Sequence, residues 1–311
     1  MKRRTLAAGL AAAALLAVAP LGAAQAQKIT VGYTATSDFG PGFIAMEQGL
    51  FKKRGLDVEF KLVPLNSQLP AAVQSDSITF GGTTVSVLLQ AIDGGLDHVA
   101  VVGSGITDKN QHTFGAVVRN DANITKADDF VGKKVGAPGI GAFLHVLFRN
   151  WLVDNGVDYK KVTFVEVGFP QMADVLKGGN VDGVVTSEPV MGRIVSGNIG
   201  KKVTSFTDNL KVELPVIVYS ATRSWVNANP AAAKSFREAI AEATEIANKD
   251  HAAVKAATAK FIKMPPDVIE NMRLGRWQAE ITDAGMAGWI DIMKKQDMLR
   301  SKLDVQKIVA H

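Results

Sequence analysis

Short β-branched runs alternate with helical segments along this chain, and the alternation runs through twice. Ile29–Tyr33 reads as a strand. Gly42–Arg54 reads as a helix, with Phe43, Met46, Leu50 and Phe51 at helical spacing and Gly55 as its stop. Val58–Val63 is a strand and Gln68–Ser75 a helix. Ile78–Phe80 is a strand closed by Gly81-Gly82, Thr83–Ile92 a helix ended by Gly94-Gly95, and His98–Val102 a strand. Parallel strands need crossover helices, so this rhythm implies a mostly parallel sheet with both faces covered.

The rhythm restarts at Lys134–Ala137, a strand, followed by a helix over Ala142–Asn155. Val162–Val167, Val181–Thr186 and Lys202–Phe206 are its further strands, with helices at Gln171–Lys177 and Val190–Ser196. Phe114–Arg119 and Pro215–Ser220 are extended and lie between the two units, which makes them two crossover strands. Beyond Pro230 the chain is helical: Ala231–Phe261 carries Phe236, Ile240 and Ala243 on one face, and Asp267–Arg276 and Gly285–Met293 continue. The first of these helices has too little apolar surface other than alanine to stand alone, so the tail packs on the first unit. The class is α/β with two lobes, which suits 311 residues.

Lys2, Arg3 and Arg4 precede an apolar run over Leu6–Ala19, and Ala24-Gln25-Ala26 places small residues at the two positions a signal peptidase reads. Residues 1–26 are thus expected to be a secretory signal cleaved before Gln27, on the general secretory route. Its loss removes three basic and no acidic residues, so the net charge of +5 falls to +2. There is no run of five basic residues, hence no footprint for nucleic acid. The absence of cysteine excludes disulfides, thiolate catalysis, Cys-ligated metal and a lipidated N-terminal cysteine. The expected product is a free periplasmic protein.

No nucleophile elbow, phosphate-binding P-loop or His-Glu-x-x-His motif occurs, and none of the five histidines lies three or four residues from another. No metal or cofactor is expected. Gly139-Ile140-Gly141 opens a helix after a strand, but Leu144 stands where a dinucleotide fingerprint needs a third Gly or Ala. Backbone N–H groups there could hold a ligand edge, or the glycines could only make a tight turn. Thr83 and Thr84 could cap the next helix or face a ligand. Ser37, Asp38 and Phe39, Gly103 and Ser104, Phe169, and Ser187 and Glu188 all follow strands. In open α/β sheets ligands bind beyond the carboxyl ends of strands, and that shared position makes these turns a coherent set.

Residues 41–60, PGFIAMEQGLFKKRGLDVEF, resemble the N-terminal signature of periplasmic substrate-binding proteins of the nitrate/sulfonate/taurine class, a group related to the pyrimidine-binding proteins of the thiamine-precursor family. DDFVGKKVGAPG (128–139), FLHVLFRNWLVDNGVDYKKV (143–162) and MADVLKGGNVDGVVTSEP (172–189) resemble it too. The resemblance implies a type II periplasmic-binding-protein fold, with lobe I formed by residues 27–115 and 218–311 and lobe II by 116–217. It implies a small-molecule ligand held by hinge closure, and delivery to an inner-membrane ABC permease with its ATPase by a monomer. The ligand loops it implies are Ser37–Phe39, Thr83-Thr84 and Gly103-Ser104 in lobe I, with Gly139, Ile140, Gly141, Ala142, Phe143, Ser187 and Glu188 in lobe II. The lobe II helix start lacks the hydroxyl common in anion-binding relatives, and the set offers Asp38 and Glu188 but no Arg or Lys. That charge pattern weakens a simple nitrate or sulfonate assignment and fits an amine-bearing or heteroaromatic ligand between Phe39, Phe143 or Phe169. Two ligand classes stay open: a sulfonate, taurine or nitrate-type anion, and an aminopyrimidine-like or aromatic compound. Asp38 and Glu188 could instead serve only their own lobes. Two further functions fit the fold: a ligand sensor for a membrane receptor, and a pyrimidine-synthesis enzyme, whose cysteine-bearing site this chain lacks.

Overall fold

The structure, a computed structural model, describes residues 27–107, 112–207 and 210–310. The expected signal, residues 1–26, lies outside them. Two five-stranded sheets organise the chain. The first contains β1 (Gln27–Tyr33), β2 (Leu56–Leu62), β3 (Phe80–Thr84), β4 (His98–Gly103) and, much later, β11 (Ile217–Thr222), in the order β2-β1-β3-β11-β4. A short pair, β5 (Gly105–Ile106) with β12 (Arg276–Trp277), sits beside it. The second sheet contains β6 (Phe114–Arg119), β7 (Lys134–Ala137), β8 (Thr163–Glu166), β9 (Gly183–Ser187) and β10 (Gly200–Thr204), in the order β10-β6-β9-β7-β8.

The two sheets share one plan. β1 runs parallel to β2 and β3, as β7 does to β8 and β9. In each sheet one strand is reversed: β11 against β3 and β4, and β6 against β9 and β10. These are the two segments that the sequence marks as extended connectors, so each crossover ends as the antiparallel strand of the sheet it enters. Every residue of β3, β4, β9 and β11 is buried, as strands covered by helices on both faces require, while the edge strands β2, β8 and β10 are partly exposed.

The helices are α1 (Gly40–Glu47), α2 (Leu69–Gln74) and α3 (Val85–Asp93) on the first sheet, and α4 (Phe143–Asp154), α5 (Met172–Lys177) and α6 (Val190–Ser196) on the second. The tail follows as α7 (Arg223–Ala228), α8 (Pro230–Lys249), α9 (His251–Phe261), α10 (Pro266–Asn271), α11 (Asp283–Lys294) and α12 (Val305–Ile308). The tail packs on the first lobe, α8 against α1, β2 and β4, and α9 against α1. Alanines 232, 233, 239, 243 and 247 let α8 lie close, while its Phe236 stacks on Phe51 and Phe80 with ring centroids 5.2 and 4.2 Å apart.

Several element boundaries differ from the sequence reading. The helical run over Ala231–Phe261 is two helices, α8 and α9, separated at Asp250, whose side chain caps α9 by accepting from the Ala253 N–H. The first helix stops at Glu47, and Lys52–Arg54 form a separate 3-10 turn. Gly81 and Gly82 do not close a strand but lie inside β3, and α3 starts at Val85. The reason is the Phe39 ring, which lies against Gly82 where any Cβ would collide with it. The helix expected over Asp267–Arg276 ends at Asn271, because Arg276 and Trp277 pair with β5 instead.

Candidate functional site

Between the lobes lies a narrow cavity of about 20 Å³, enough for roughly one water. Lobe I contributes Thr34, Thr36, Asp38, Asn66 and Thr84, and β11 contributes Ile217. Lobe II contributes Phe114, Pro138, Ala142, Phe143, Phe169 and Ser187. One wall is therefore polar and the other aromatic. Among the described residues no Arg, Lys or His lines it.

Asp38 is the one ionisable group among the described residues that line the cavity. It sits in a 3-10 turn (Ser37–Phe39) beyond β1, and the Thr36 hydroxyl donates to its Oδ2 at 2.8 Å. Ser104 Oγ donates to the Asp38 carbonyl at 2.7 Å and fixes the turn from the neighbouring strand end. No cation pairs with the carboxyl among the described residues, so burial dominates and pushes its pKa up to about 6 despite the Thr36 bond. Asn66, buried in the loop before α2, accepts through Oδ1 from the N–H and hydroxyl of Thr84 at 2.9 and 3.0 Å. Thr84 thus neither caps α3 nor donates freely. On the facing lobe Phe114 and Phe143 lie 4.7 Å apart, and Trp289 of α11 backs Phe143 at 5.7 Å.

Direct bonds join the lobes around this cavity. The Ser37 N–H donates to the Glu188 carbonyl at 3.1 Å, and the Asn66 N–H to the Pro138 carbonyl at 3.1 Å. Ser67 Oγ donates to Glu166 Oε1 at 2.8 Å, and Gln90 Nε2 to the Gly141 carbonyl at 3.1 Å. The lobes are closed, and any solute larger than water requires them to part.

Of the residues singled out in the sequence, Asp38, Thr84, Ala142, Phe143, Phe169 and Ser187 line the cavity. Ser37 and Ser104 only support it. The others are placed differently. Phe39 is fully buried among Tyr33, Phe43 and Tyr219, so it is a core residue. Thr83 faces inward and shares a hydrogen bond with Ser220 at 3.1 Å. Gly103 donates its N–H to the Ala279 carbonyl and pairs with β11. The turn at Gly139, Ile140 and Gly141 does not offer free donors. Ile140 N–H is taken by Glu166 Oε1 at 2.8 Å, and Gly141 N–H, at φ 81°, by His145 Nδ1 at 3.0 Å. The Ile140 side chain is exposed. Glu188, in the turn just past β9, does not line this cavity but a separate pocket beside Met191 and Gly192 of α6.

Thr34, Thr36, Asn66, Phe114 and Pro138 escaped the sequence reading. Thr34 and Thr36 directly precede Ser37 and could have been included with it. Asn66 lies in a loop without a strand end or a glycine to mark it, and Phe114 was assigned only to a connector.

Two α/β lobes joined by two crossing strands, with a closed cavity between them, define the periplasmic-binding-protein fold. The chain belongs to the NMT1/THI5-like family, whose model matches residues 36–253. It is similar to the nitrate/nitrite binding protein NrtA of Synechococcus elongatus, 25% identical over 272 residues, which cover 78% of this chain and 60% of NrtA. The chain thus spans less than two thirds of that relative. It is also similar to the riboflavin-binding protein RibY of Chloroflexus aurantiacus, 23% identical over 96% of this chain and 89% of RibY. Among solved structures, the alkanesulfonate-binding protein SsuA from Xanthomonas axonopodis pv. citri, bound to MOPS, superposes with a TM-score of 0.79 at 18% identity, covering 93% of this chain and 99% of that one. Each of these relatives is a binding protein by name, and the three names give three different ligands.

Proposed function

We propose that this chain is a periplasmic solute-binding protein that captures a small molecule between its lobes and delivers it, as a monomer, to an ABC permease and its ATPase. The family and the named relatives support that reading. The observation that carries it is a cavity walled by both lobes, because a ligand touching both walls favours the closed state over the open one by its differential contacts. The lobe limits are 27–115 with 218–311, and 116–217, except that Phe114 and Gly115 of β6 sit in the second sheet and Ile217 of β11 in the first.

The ligand presents N–H groups and a planar ring. Asp38 accepts from the donor, Thr36, Asn66 and Thr84 supply further polar partners, and Phe114, Phe143 and Phe169 contact the ring faces or edges. A bare nitrate or sulfonate would meet a buried carboxyl and no cation, which costs affinity. The cavity holds no His, Lys or Cys to act as base or nucleophile, so the bound molecule leaves unchanged.

The test is a thermal-shift screen of the purified mature chain against nitrate, sulfonates, aminopyrimidines, aromatic acids and riboflavin. A nitrogenous ring compound is expected to stabilise the protein by about 2.7 kcal/mol at 100 times its Kd, and mass spectrometry is expected to recover it intact. Tightest binding by nitrate or a sulfonate would overturn the ligand class, and chemical conversion of the hit would overturn the binding role.

A further inference from the structure

The Asp38 turn is held from the tail of the chain as well as from its own strand end. β12 pairs with β5 so that Trp277 lies opposite Gly105. Asn248 of α8 fixes the Trp277 backbone, its Oδ1 accepting the N–H at 3.2 Å and its Nδ2 donating to the carbonyl at 2.9 Å. The buried indole lies over Gly40, where a Cβ would stand 3.0 Å from the ring, and its Nε1 donates to the Ser37 carbonyl at 3.3 Å.

That carbonyl and the Asp38 N–H belong to one peptide group. The Asp38 N–H donates to Thr36 Oγ1 at 3.3 Å, and the Thr36 hydroxyl donates to Asp38 Oδ2 at 2.8 Å. Indole, peptide and hydroxyl therefore donate in one direction, and the relay ends on the carboxyl that lines the central cavity. Hydrogen bonds linked in this way polarise one another, so each strengthens the next. Gly105, opposite Trp277, makes room for the same carboxyl: a Cβ there would come within 2.6 Å of Asp38 Oδ1.

We propose that Trp277 is a positioning residue for the solute cleft, holding Asp38 Oδ2 through the Ser37–Asp38 peptide and Thr36 and leaving Oδ1 to accept from the solute. The proposal rests on the reading of Asp38 as the acceptor for a solute N–H. The charged and titratable groups around the relay are Glu188, whose carbonyl accepts the Ser37 N–H, His251 of α9, whose ring lies 6.3 Å from that of Trp277, and Arg276, which pairs with Glu213. Gly105, Ile106 and Asn248 bring no charge.

Carboxyl 13C NMR titration of the mature chain without solute tests the relay. Trp277→Phe keeps a ring and removes the first donor, and the Asp38 midpoint, about 6 in the wild type, is expected to rise by roughly 0.3. Thr36→Val, which removes the hydroxyl, is expected to raise it further, and Thr36→Ser to keep the wild-type value. Because the indole acts through Thr36, Trp277→Phe is expected to add nothing in the Thr36→Val background. Should Trp277→Phe fail to fold, the indole 15N resonance of Trp277 reads the same relay in His251→Gln, which removes the one nearby imidazole. It is expected to step at the Asp38 midpoint and to lose that step when Asp38→Asn is added. An unchanged midpoint in Trp277→Phe, additive effects of Trp277→Phe and Thr36→Val, or an indole resonance without the Asp38 step would each overturn the role of Trp277. With the ring compound from the screen, Trp277→Phe is expected to lose roughly threefold in affinity, and equal affinities would overturn the role in binding. A cleft that takes nitrate or a sulfonate most tightly overturns the solute class instead and leaves the titration result standing.

Discussion

At the scale of single residues, burial without a counter-ion sets the chemistry. Asp38 has an ordinary carboxylate pKa of 3.8 when exposed and about 6 in the fold. Between these values the folded chain holds a proton that the unfolded chain has released. Raising the pH across that window therefore costs stability, roughly 3 kcal/mol in all. Asp38→Asn is expected to remove that dependence. Urea midpoints of wild type should fall relative to the variant from pH 4 to pH 6, and parallel curves for the two proteins would contradict it. The position of Asp38 was legible in the sequence, because it follows the first strand of a parallel sheet, where ligands bind. The side-chain face of Glu188 was not. Glu188 lies one residue past the end of β9, where strand alternation no longer fixes a side chain's face. Asn66 was invisible for a different reason: its role comes from Thr84, 18 residues away, through a contact that only the tertiary fold makes.

At the scale of elements, the turn before α4 shows why a glycine pattern underdetermines function. Gly139-Ile140-Gly141 has the composition of an anion cradle, and its local shape needs the glycine at 141. What the sequence could not show is that Glu166, from β8, and His145, one turn into α4, consume the donors. His145 is buried and stays neutral, since burial and the nearby Arg149 pull its pKa from 6.5 down to about 3. The unfolded chain takes up this proton below pH 6.5 and the fold does not until about pH 3. The contribution of His145 to stability is therefore intact above 6.5 and is lost as pH falls through that window, by about 1.4 kcal/mol per unit. His145→Leu leaves Gly141 N–H buried without a partner, so it is expected to cost about 1–3 kcal/mol at pH 7.5. It should also flatten the acid-side loss. Equal urea midpoints for wild type and variant at pH 7.5 would contradict this assignment. Helix lengths were read well where apolar spacing was strong, as in α4, and poorly where a ring from elsewhere dictated the backbone, as Phe39 does at Gly82.

At the scale of the whole molecule, the repeated alternation of strand and helix was enough to reveal two α/β units and a helical tail that returns to the first. It also marked both connectors. It did not reveal that each connector becomes the reversed strand of the sheet it enters, because pairing direction depends on partners more than 60 residues away. Among the described residues the chain passes from the first sheet to the second before β6 and back before β11. Such a joint permits rotation of one lobe on the other. The cross-cleft bonds from Ser37, Asn66, Ser67 and Gln90, and that of Gln296 Nε2 to the Val146 carbonyl, contribute about 0.5–3 kcal/mol each. A ligand that touches both walls adds its own contacts to the closed state, so lobe separation responds to the solute.

Small-angle X-ray scattering of the mature chain, with and without the tightest solute from the screen, tests this account most directly. The account predicts that saturating solute lowers the radius of gyration and brings the profile to that of the closed structure, and that Asp38→Asn requires more solute for the same change. A solute that binds stoichiometrically while the scattering profile stays unchanged from an open form would contradict capture by closure.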